Sequence, residues 1–308
     1  MKVSIIGVGR KRNGIGEYIA KYFHKNGAYV ISVLGTSEET SARAAWALRK
    51  YGMDSRPYTH FEKMVEGERP DTVVIASPST THYDYLSKSV DFGVNIFCEK
   101  PFIWPGNGDI RGKVEEILKK GKKKRLTLAM NCQWPFALKF YEEICGEIEI
   151  KKSSRFFIQM SPFTSGKEMI PESVPHALSL LYSSLGEGQL SELRFRSPKK
   201  EEMVITFKYV GPRNSCEVLI QLTKKEVQPR EFYFGFDEKI VKRSLDVQSY
   251  AIYFEYGGQR LEITDPLELS VQNFMEAVEK RVEPFIGGFH ILSNMSLLKE
   301  IYDRYEGD

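Results

Sequence analysis

Short apolar runs alternate with amphipathic stretches over the first third of the chain. Residues 2–8, 28–35 and 94–101 are apolar runs of strand length, and residues 14–27 place Ile15 and Ile19 at helical spacing. Apolar strands separated by helices are typical of a parallel sheet covered on both faces. The pattern therefore predicts that residues 1–132 form one α/β domain.

The hydrophobic period changes near residue 150. Seven strand-like stretches follow between residues 153 and 258, several of them with alternating apolar and polar positions and with turn residues between them. One helical stretch, residues 174–186, interrupts them, and two more close the chain at 269–281 and 291–306. The pattern predicts that residues 133–308 form an α+β domain with an open, mostly antiparallel sheet.

Composition narrows the function classes. The 308 residues include 44 basic and 41 acidic side chains, a balance that does not favour a nucleic-acid partner. The lysine-rich run at 119–125 lacks interleaved aromatics and is interpreted as a solvated helix end. No apolar run has the length of a membrane span, and the first apolar stretch is too short for a signal peptide. The four cysteines lack metal-ligand spacing, so we expect no metal site and a reducing, cytoplasmic location.

Four glycines lie between the first strand and the first helix. A G-x-G-x-x-G fingerprint that begins at Gly7 and Gly9 would place its third glycine at Arg12, but the next glycines are Gly14 and Gly16. Gly7 permits a tight turn, Gly9 lets backbone approach a pyrophosphate, and either Gly14 or Gly16 can pack against the strand. We interpret the loop as a fingerprint with four inserted residues, in which Gly16 is the third glycine. The loop between strand and helix predicts a dinucleotide site.

The end of the second strand selects the cofactor. An acidic residue there would bind the ribose 2′-hydroxyl of NAD, but this strand ends in Gly35, Thr36 and Ser37. Small and hydroxyl side chains leave room for a 2′-phosphate, which favours NADP(H). NAD(H) stays possible, because Glu38 is close enough in the sequence to be the acid that binds the ribose. The candidate cations for that phosphate are Arg10, Lys11, Arg12 and Arg43.

Three segments carry a resemblance to a known family. They are "SIIGVG" at the start, the stretch from 71 to 101 that ends in "CEKP", and the late "FMEAVEKR" and "LLKEIYDRY". With these segments the chain resembles the Gfo/Idh/MocA oxidoreductases, closely over residues 1–101 and in the order of elements thereafter. The resemblance implies a Rossmann domain followed by a substrate-binding domain whose sheet joins a partner subunit, as a homodimer or homotetramer.

The resemblance also implies site residues in the first domain. It places Lys100 of "EKP" in the active site as a catalytic residue, often with the following proline peptide in cis, and Glu99 beside the cofactor. It places Ser77, Pro78 and His82 along the nicotinamide side of the cofactor.

A second-domain helix carries the other family motif. Members usually have an Asp, a His four residues later and another Asp three residues after the His. Here these positions are Glu172, His176 and Ser179, so the second acid is absent. Ser173 looks like an N-cap and Pro175 like a first-turn proline, which would place His176 in the first turn as a neutral imidazole. We expect His176 and Glu172 to be catalytic together with Lys100.

These observations predict an NADP(H)-dependent oxidoreductase that transfers a hydride to or from a small hydroxyl or carbonyl substrate. The substrate remains open among sugars, polyols, ketones and imines, since an acid is lost and Met160, Phe163, Met169 and Ile170 flank the helix start. Trp104 and Trp134 are either pocket walls or core residues. Two alternatives are a non-catalytic NAD(P)-binding regulator, and a lyase or glycosidase that uses transient oxidation.

Overall fold

The computed structural model of the chain describes residues 1–9, 14–104, 108–151, 153–212, 214–246 and 248–306. The chain divides into two units. The first unit consists of Met1–Asn131 and Leu267–Leu292, and the second of Cys132–Pro266 and Ser293–Asp308.

The strands and helices are numbered in chain order. The strands are β1 (Lys2–Ile6), β2 (Tyr29–Leu34), β3 (Arg56–Tyr58), β4 (Thr72–Ile75), β5 (Asn95–Glu99), β6 (Leu128–Asn131), β7 (Arg155–Met160), β8 (Gln189–Lys199), β9 (Glu202–Val210), β10 (Ser215–Thr223), β11 (Phe232–Phe236), β12 (Lys239–Leu245), β13 (Ile252–Tyr256) and β14 (Gln259–Ile263). The helices are α1 (Ile15–Lys25), α2 (Glu38–Leu48), α3 (Phe61–Glu68), α4 (His82–Phe92), α5 (Ile110–Lys123), α6 (Leu138–Cys145), α7 (Met169–Leu185), α8 (Pro266–Lys280) and α9 (Gly288–Asp303).

The first unit contains a parallel sheet in the order β3-β2-β1-β4-β5-β6. Strand β1 pairs with β2 on one side and with β4 on the other, so the chain reverses direction across the sheet at β1. In open parallel sheets, ligands bind beyond the carboxyl ends of the strands at this kind of switch point. The predicted Rossmann fold is confirmed.

The core of the first unit includes a helix from the end of the chain. The ring of Phe274 in α8 lies 5.2 Å from the ring of Phe97 in β5 and 6.1 Å from that of Phe23 in α1. Leu267 and Val271 belong to the same buried cluster. The apolar face of α8 thus completes the core of the first unit, although residues 267–292 belong to the stretch 133–308 that the sequence pattern assigns to a second domain.

The second unit contains a sheet in the order β14-β13-β12-β11-β7-β10-β9-β8. Within the described residues only the β7–β10 pair is parallel, so the predicted open, mostly antiparallel sheet is confirmed. One face of the sheet is buried, as Met203, Ile205 and Phe207 of β9 show, whereas the alternate residues Val204 and Thr206 are partly exposed.

Hydrophobic periodicity did not predict the two short strands β3 and β14. The first has three residues, including Pro57, and is too short to show a period. The second, "QRLEI", is mostly polar, so its pairing with β13 is not marked by alternating apolar residues. In the described part of the chain no helix is both long enough and apolar enough to cross a membrane. The cytoplasmic location stays a prediction.

Candidate functional site

The glycine loop of the first unit packs directly on the backbone after β4. Gly7 has φ of 93°, and a Cβ there would lie 2.4 Å from the backbone nitrogen of Ser77. A Cβ on Gly16 would lie 2.5 Å from the carbonyl oxygen of Gly7. Gly14 is the N-cap of α1 in the left-handed region, with φ of 48°. The structure thus gives Gly16 the close-packing position, and α1 begins against the carboxyl ends of β1 and β4.

Gly9 differs from these glycines, because a Cβ at Gly9 would meet no described atom within 4 Å. Its backbone is open to a ligand, which is what a pyrophosphate-binding glycine requires. The inserted cations Arg10, Lys11 and Arg12 lie outside the described residues.

The chain after β2 closes into the capped start of α2. The hydroxyl of Ser37 accepts a hydrogen bond from the backbone N–H of Thr40 at 3.2 Å, and the Thr40 hydroxyl accepts one from the N–H of Ser37 at 2.9 Å. Thr36 lies beside this capping box, with its hydroxyl 3.4 Å from that of Thr40. Gly35 is tightly packed, since a Cβ there would lie 2.5 Å from the nitrogen of Ser41.

Two charged residues of α2 are exposed near this cap. Glu38 is the first residue of the helix, so it does not occupy the strand end where an NAD-binding acid lies. Arg43 is exposed and its guanidinium is 3.8 Å from Glu39. The strand end itself carries no carboxylate.

Lys100 follows β5 directly, at the carboxyl edge of the parallel sheet. Its peptide bond to Pro101 is cis, as the family resemblance implies. The side chain is partly buried, and Phe102 and Ile103 behind it are in the core. Lys100 therefore lies at the edge of the sheet where ligands bind.

His82 joins the loop after β4 to the loop of Lys100. Its Nδ1 lies 2.8 Å from the carbonyl oxygen of Pro101, and its Nε2 lies 2.9 Å from that of Ser77. The ring is 1 % exposed, and burial lowers the pKa of His82, against the opposing effect of its carbonyl neighbours. Both ring nitrogens thus face backbone oxygens, and His82 ties these two loops together, while its place along the nicotinamide side of the cofactor stays a prediction.

Ser77 and Pro78, the other two predicted residues of the loop after β4, bond to Thr81. The Ser77 hydroxyl lies 2.7 Å from that of Thr81, and the carbonyl oxygen of Pro78 accepts from the N–H of Thr81 at 2.9 Å. These bonds fix the short turn that precedes α4.

Glu99 is held by a polar chain that sequence reasoning missed. Its carboxylate accepts a hydrogen bond from the side-chain amide of Asn131, whose carbonyl oxygen accepts from the hydroxyl of Ser270 at 2.9 Å. Burial raises the pKa of Glu99, and the neighbouring charge of Lys100 opposes that rise. Of the two partners, only Asn131 has a position that indicates a contact with Glu99, because it ends β6 and pairs with Glu99 across the sheet.

In the second unit, Glu172 holds the segment that follows β7. Its carboxylate accepts from the N–H of Phe163 at 2.8 Å, from the N–H of Thr164 at 2.9 Å and from the Thr164 hydroxyl at 2.7 Å. This geometry gives Glu172 a structural task that the sequence did not indicate.

His176 does not lie in the first turn of its helix. Helix α7 begins at Met169, with Pro175 inside it, and Ser173 is a buried helical residue and not the N-cap. Met169 and Ile170 are buried at the start of the helix, ahead of Ser173, so the argument from the helix dipole does not apply. The half-buried His176 ring has its Nδ1 3.4 Å from the Cys132 thiol.

Ser179 occupies the family's second acidic position but faces the core. It is fully buried, and its hydroxyl accepts a hydrogen bond from the amide of Asn294 at 3.0 Å. The same amide donates to the carbonyl oxygen of Pro175 at 2.8 Å. This position is part of the packing between α7 and α9.

Both candidate tryptophans are 5 % exposed and are core residues. The ring of Trp134 stacks on that of Phe232, with centroids 3.7 Å apart. Within the described residues no group of three or more side chains could hold a metal ion.

Comparison with known families matches residues 1–132 to the Gfo/Idh/MocA model, an oxidoreductase family with an NAD-binding Rossmann fold. An uncharacterized oxidoreductase of Schizosaccharomyces pombe is 30% identical over 95 residues, which are 31% of this chain and 23% of that protein. An inositol 2-dehydrogenase of Saccharopolyspora erythraea is 26% identical over 119 residues, which are 38% of this chain and 33% of that protein. The matches thus span about a quarter to a third of these curated relatives.

Solved structures match over nearly the whole chain. UDP-N-acetylglucosamine 3-dehydrogenase from Acidithiobacillus ferrooxidans has a TM-score of 0.72 at 16% identity, covering 99% of this chain and 98% of that one. An oxidoreductase from Agrobacterium radiobacter, in complex with NAD+, L-tartaric acid and magnesium, has a TM-score of 0.71 at 15% identity, covering 99% and 96%. At these identities the likeness establishes a shared fold.

Proposed function

We propose that the chain is a nicotinamide-dependent dehydrogenase or reductase, because its residues 1–132 match the model of the Gfo/Idh/MocA oxidoreductase family. One observation carries the proposal. Gly16 seats the start of α1 on Gly7, and Gly7 packs on the backbone of Ser77, at the sheet edge where Lys100 follows β5. A dinucleotide site and a candidate proton-handling lysine thus share the carboxyl edge of one sheet.

The cofactor in this proposal is NADP(H). The strand end offers Gly35, Thr36 and Ser37 in place of an acid, and Glu38 belongs to the following helix. Arg43 is exposed within reach of solvent, and Arg10, Lys11 and Arg12 add three cations to the loop after β1. A 2′-phosphate is dianionic near neutral pH, so these cations favour it over the neutral hydroxyl of NAD.

The bound nicotinamide supplies or accepts the hydride. Lys100 polarises the reacting oxygen of the substrate and exchanges a proton with it, and His82 fixes the loop that carries Lys100. We assign His176 the role of a second acid/base group. Glu172 contributes by holding Phe163 and Thr164 in place, so we assign it a positioning role.

The substrate in this proposal carries a hydroxyl or carbonyl group at the reacting carbon. Structural and curated relatives are named for the oxidation of inositol and of a nucleotide sugar. Ser179 is buried against Asn294 and is not available to bind a substrate hydroxyl. We therefore place ketones and imines beside sugars and polyols as substrates to be tested.

The second-unit sheet supports a proposal about assembly. On its less buried face, Phe157, Leu219 and Tyr233 are partly exposed on three neighbouring strands. An apolar sheet face of this kind is suited to a second copy of the chain. We propose a homodimer or homotetramer through this face, which light scattering after gel filtration tests: a monomeric mass would contradict it.

The test of the function is turnover of NADP(H) against a panel of sugars, polyols, ketones and imines. Lys100→Met should abolish turnover while NADPH binding stays within about threefold of wild type, because the methionine keeps the chain length and removes the charge. Lys63→Met, at an exposed position of α3, is the matched control and should leave both unchanged. Full turnover in Lys100→Met would contradict the assigned role.

Two outcomes separate this proposal from the alternatives. NADPH binding without turnover of any substrate, and with a protein partner that responds to NADPH, would favour a regulator. Copurifying nicotinamide with product formation but no net change in its absorbance would favour a lyase or glycosidase.

A further inference from the structure

Two arginines lie side by side in the second unit, at positions that no sequence motif marks. Arg230 precedes β11, and Arg243 lies in the neighbouring strand β12. The Nη2 of Arg243 donates a hydrogen bond to the carbonyl oxygen of Arg230 at 2.8 Å. Arg243 shares the face of β12 with Val241, which is fully buried. Two cations are thus brought together on the buried side of the sheet.

Aromatic rings hold both guanidinium groups without neutralising them. The guanidinium carbon of Arg230 lies 4.0 Å from the centroid of the Phe163 ring. That of Arg243 lies 5.8 Å from the centroids of Trp134 and of Phe232, which stack on each other. Cation–π contacts of this kind orient a guanidinium and leave its N–H groups available for an anion.

The two charges lack close counter-charges. Among the residues that the structure describes, neither guanidinium has a carboxylate within 4.0 Å. The acids that act on them at longer range are Glu172 for Arg230 and Asp265 for Arg243. The Glu172 carboxylate already accepts three hydrogen bonds from Phe163 and Thr164.

Both arginines are partly buried, and this partial burial is unfavourable for their charges. It lowers the pKa of Arg230, and it lowers that of Arg243 to about 10, with the charge of Arg230 adding to the effect on Arg243. The Nε of Arg243 is buried and meets no acceptor among the described residues. Buried charges are ordinarily paired, and an unpaired buried N–H is costly.

We infer that Arg230 and Arg243 form an anion-binding subsite that takes a carboxylate or phosphate group of the substrate. The subsite is continuous with the candidate catalytic helix, since Phe163 lies under Arg230 and donates to Glu172, one turn before His176. The inference rests on the proposed function, because it assigns the anion to the molecule that is oxidised or reduced. It adds that this molecule is acidic and not a neutral polyol or ketone.

The experiment is calorimetric titration of the full chain with L-tartrate, UDP and inorganic phosphate, in the presence and absence of NADPH. We expect saturable binding of at least one of these anions, weakened by added sodium chloride. Arg230→Met and Arg243→Met should each weaken it about tenfold or more, because each removes a charge-assisted donor. Arg155→Met, which removes an exposed arginine of β7 paired with Glu238, is the matched control and should not change it.

A variant that keeps the charge distinguishes loss of anion binding from loss of folding. Arg243→Lys retains a cation at the site and should bind the same anion more tightly than Arg243→Met, with a melting temperature close to that of Arg155→Met. Tartrate binding without phosphate or UDP binding would identify a carboxylate as the group recognised, and the reverse would identify a phosphate.

The inference is overturned if none of the three anions binds saturably, or if the methionine variants bind them as the wild type does. Failure of the proposed function would look different, because NADPH binding and turnover would then be absent while anion binding persisted. Turnover of a neutral substrate that is unaffected by Arg230→Met and Arg243→Met would sink the subsite and leave the proposed function standing.

Discussion

The Nδ1 of His82 lies 2.8 Å from the carbonyl oxygen of Pro101, and this contact ties the start of α4 to the loop of Lys100. The other ring nitrogen lies 2.9 Å from the carbonyl oxygen of Ser77, against which Gly7 packs. The buried ring of His82 thus links Ser77, on which Gly7 packs, to the loop that carries the candidate catalytic lysine.

Replacing His82 should loosen both loops. His82→Ala removes the one N–H that the neutral ring can donate to a buried carbonyl oxygen and opens a cavity, so we expect the free energy of unfolding to fall by about 3 kcal/mol. NADPH affinity should fall with it, and His82→Gln should restore part of both, since its amide can donate to one carbonyl. Urea denaturation and NADPH titration measure the two effects. The exposed His60→Ala is the control, and equal behaviour of His82→Ala and His60→Ala would contradict the positioning role.

Two buried histidines make the first unit sensitive to acid. Burial lowers the pKa of His82 and lowers that of His290 to about 4. Below the ordinary histidine pKa the unfolded chain binds a proton that the folded chain does not, so stability is present above about pH 6.5 and is lost as the pH falls. For His290 the loss reaches about 3 kcal/mol by pH 4.

Denaturation midpoints measured from pH 7 to pH 4.5 check this dependence. His290→Gln should flatten the decline, whereas His24→Gln, at an exposed position, should not change it. A decline of the same steepness in His290→Gln would show that this group does not contribute.

Glu172 should act through the segment that it holds. Glu172→Ala removes the acceptor of the Phe163 and Thr164 amides, so hydrogen exchange at these two amides should accelerate about tenfold or more. Glu168→Ala, one turn earlier, is the control. Turnover in Glu172→Gln should keep the pH profile of the wild type, whereas His176→Asn should change its shape. Loss of all activity in Glu172→Gln with unchanged exchange would instead make Glu172 a direct acid/base group.

Introducing an acid at position 179, where the family usually has its second Asp, should destabilise the protein. Ser179→Asp would bury a carboxylate beside Asn294, at a cost of several kcal/mol. Ser179→Ala should cost about 1 kcal/mol, as loss of one hydrogen bond does. Thermal unfolding compares them, and a stable Ser179→Asp protein would show that this side chain is not confined to the core.

Sequence reasoning went furthest where local chemistry decides the structure. The strand ends around Gly7, Ser77 and Lys100 follow from apolar period and glycine spacing, and they lie at the edge of the sheet as predicted. The predicted start of α7 was wrong, because burial of Met169 and Ile170 extends the helix to before Ser173, the residue that looked like its N-cap.

Long-range pairing explains the other differences. The return of 267–292 to the first unit depends on Phe274 meeting Phe97, and the Arg230–Arg243 pair depends on the alignment of β11 with β12. Neither is encoded by neighbouring residues. The hydrogen bonds of His82 likewise join positions that are remote in sequence from each other.

Titration of the purified protein with NADPH and with NADH, followed by nicotinamide fluorescence, tests whether the chain binds a nicotinamide cofactor and which one it prefers. We predict saturable binding of both or of NADPH alone, with NADPH tighter by about tenfold or more, because charge-assisted contacts to a phosphate are worth at least that factor. Equal or tighter binding of NADH would contradict the cofactor assignment, and no saturable binding of either would contradict the proposed dehydrogenase itself.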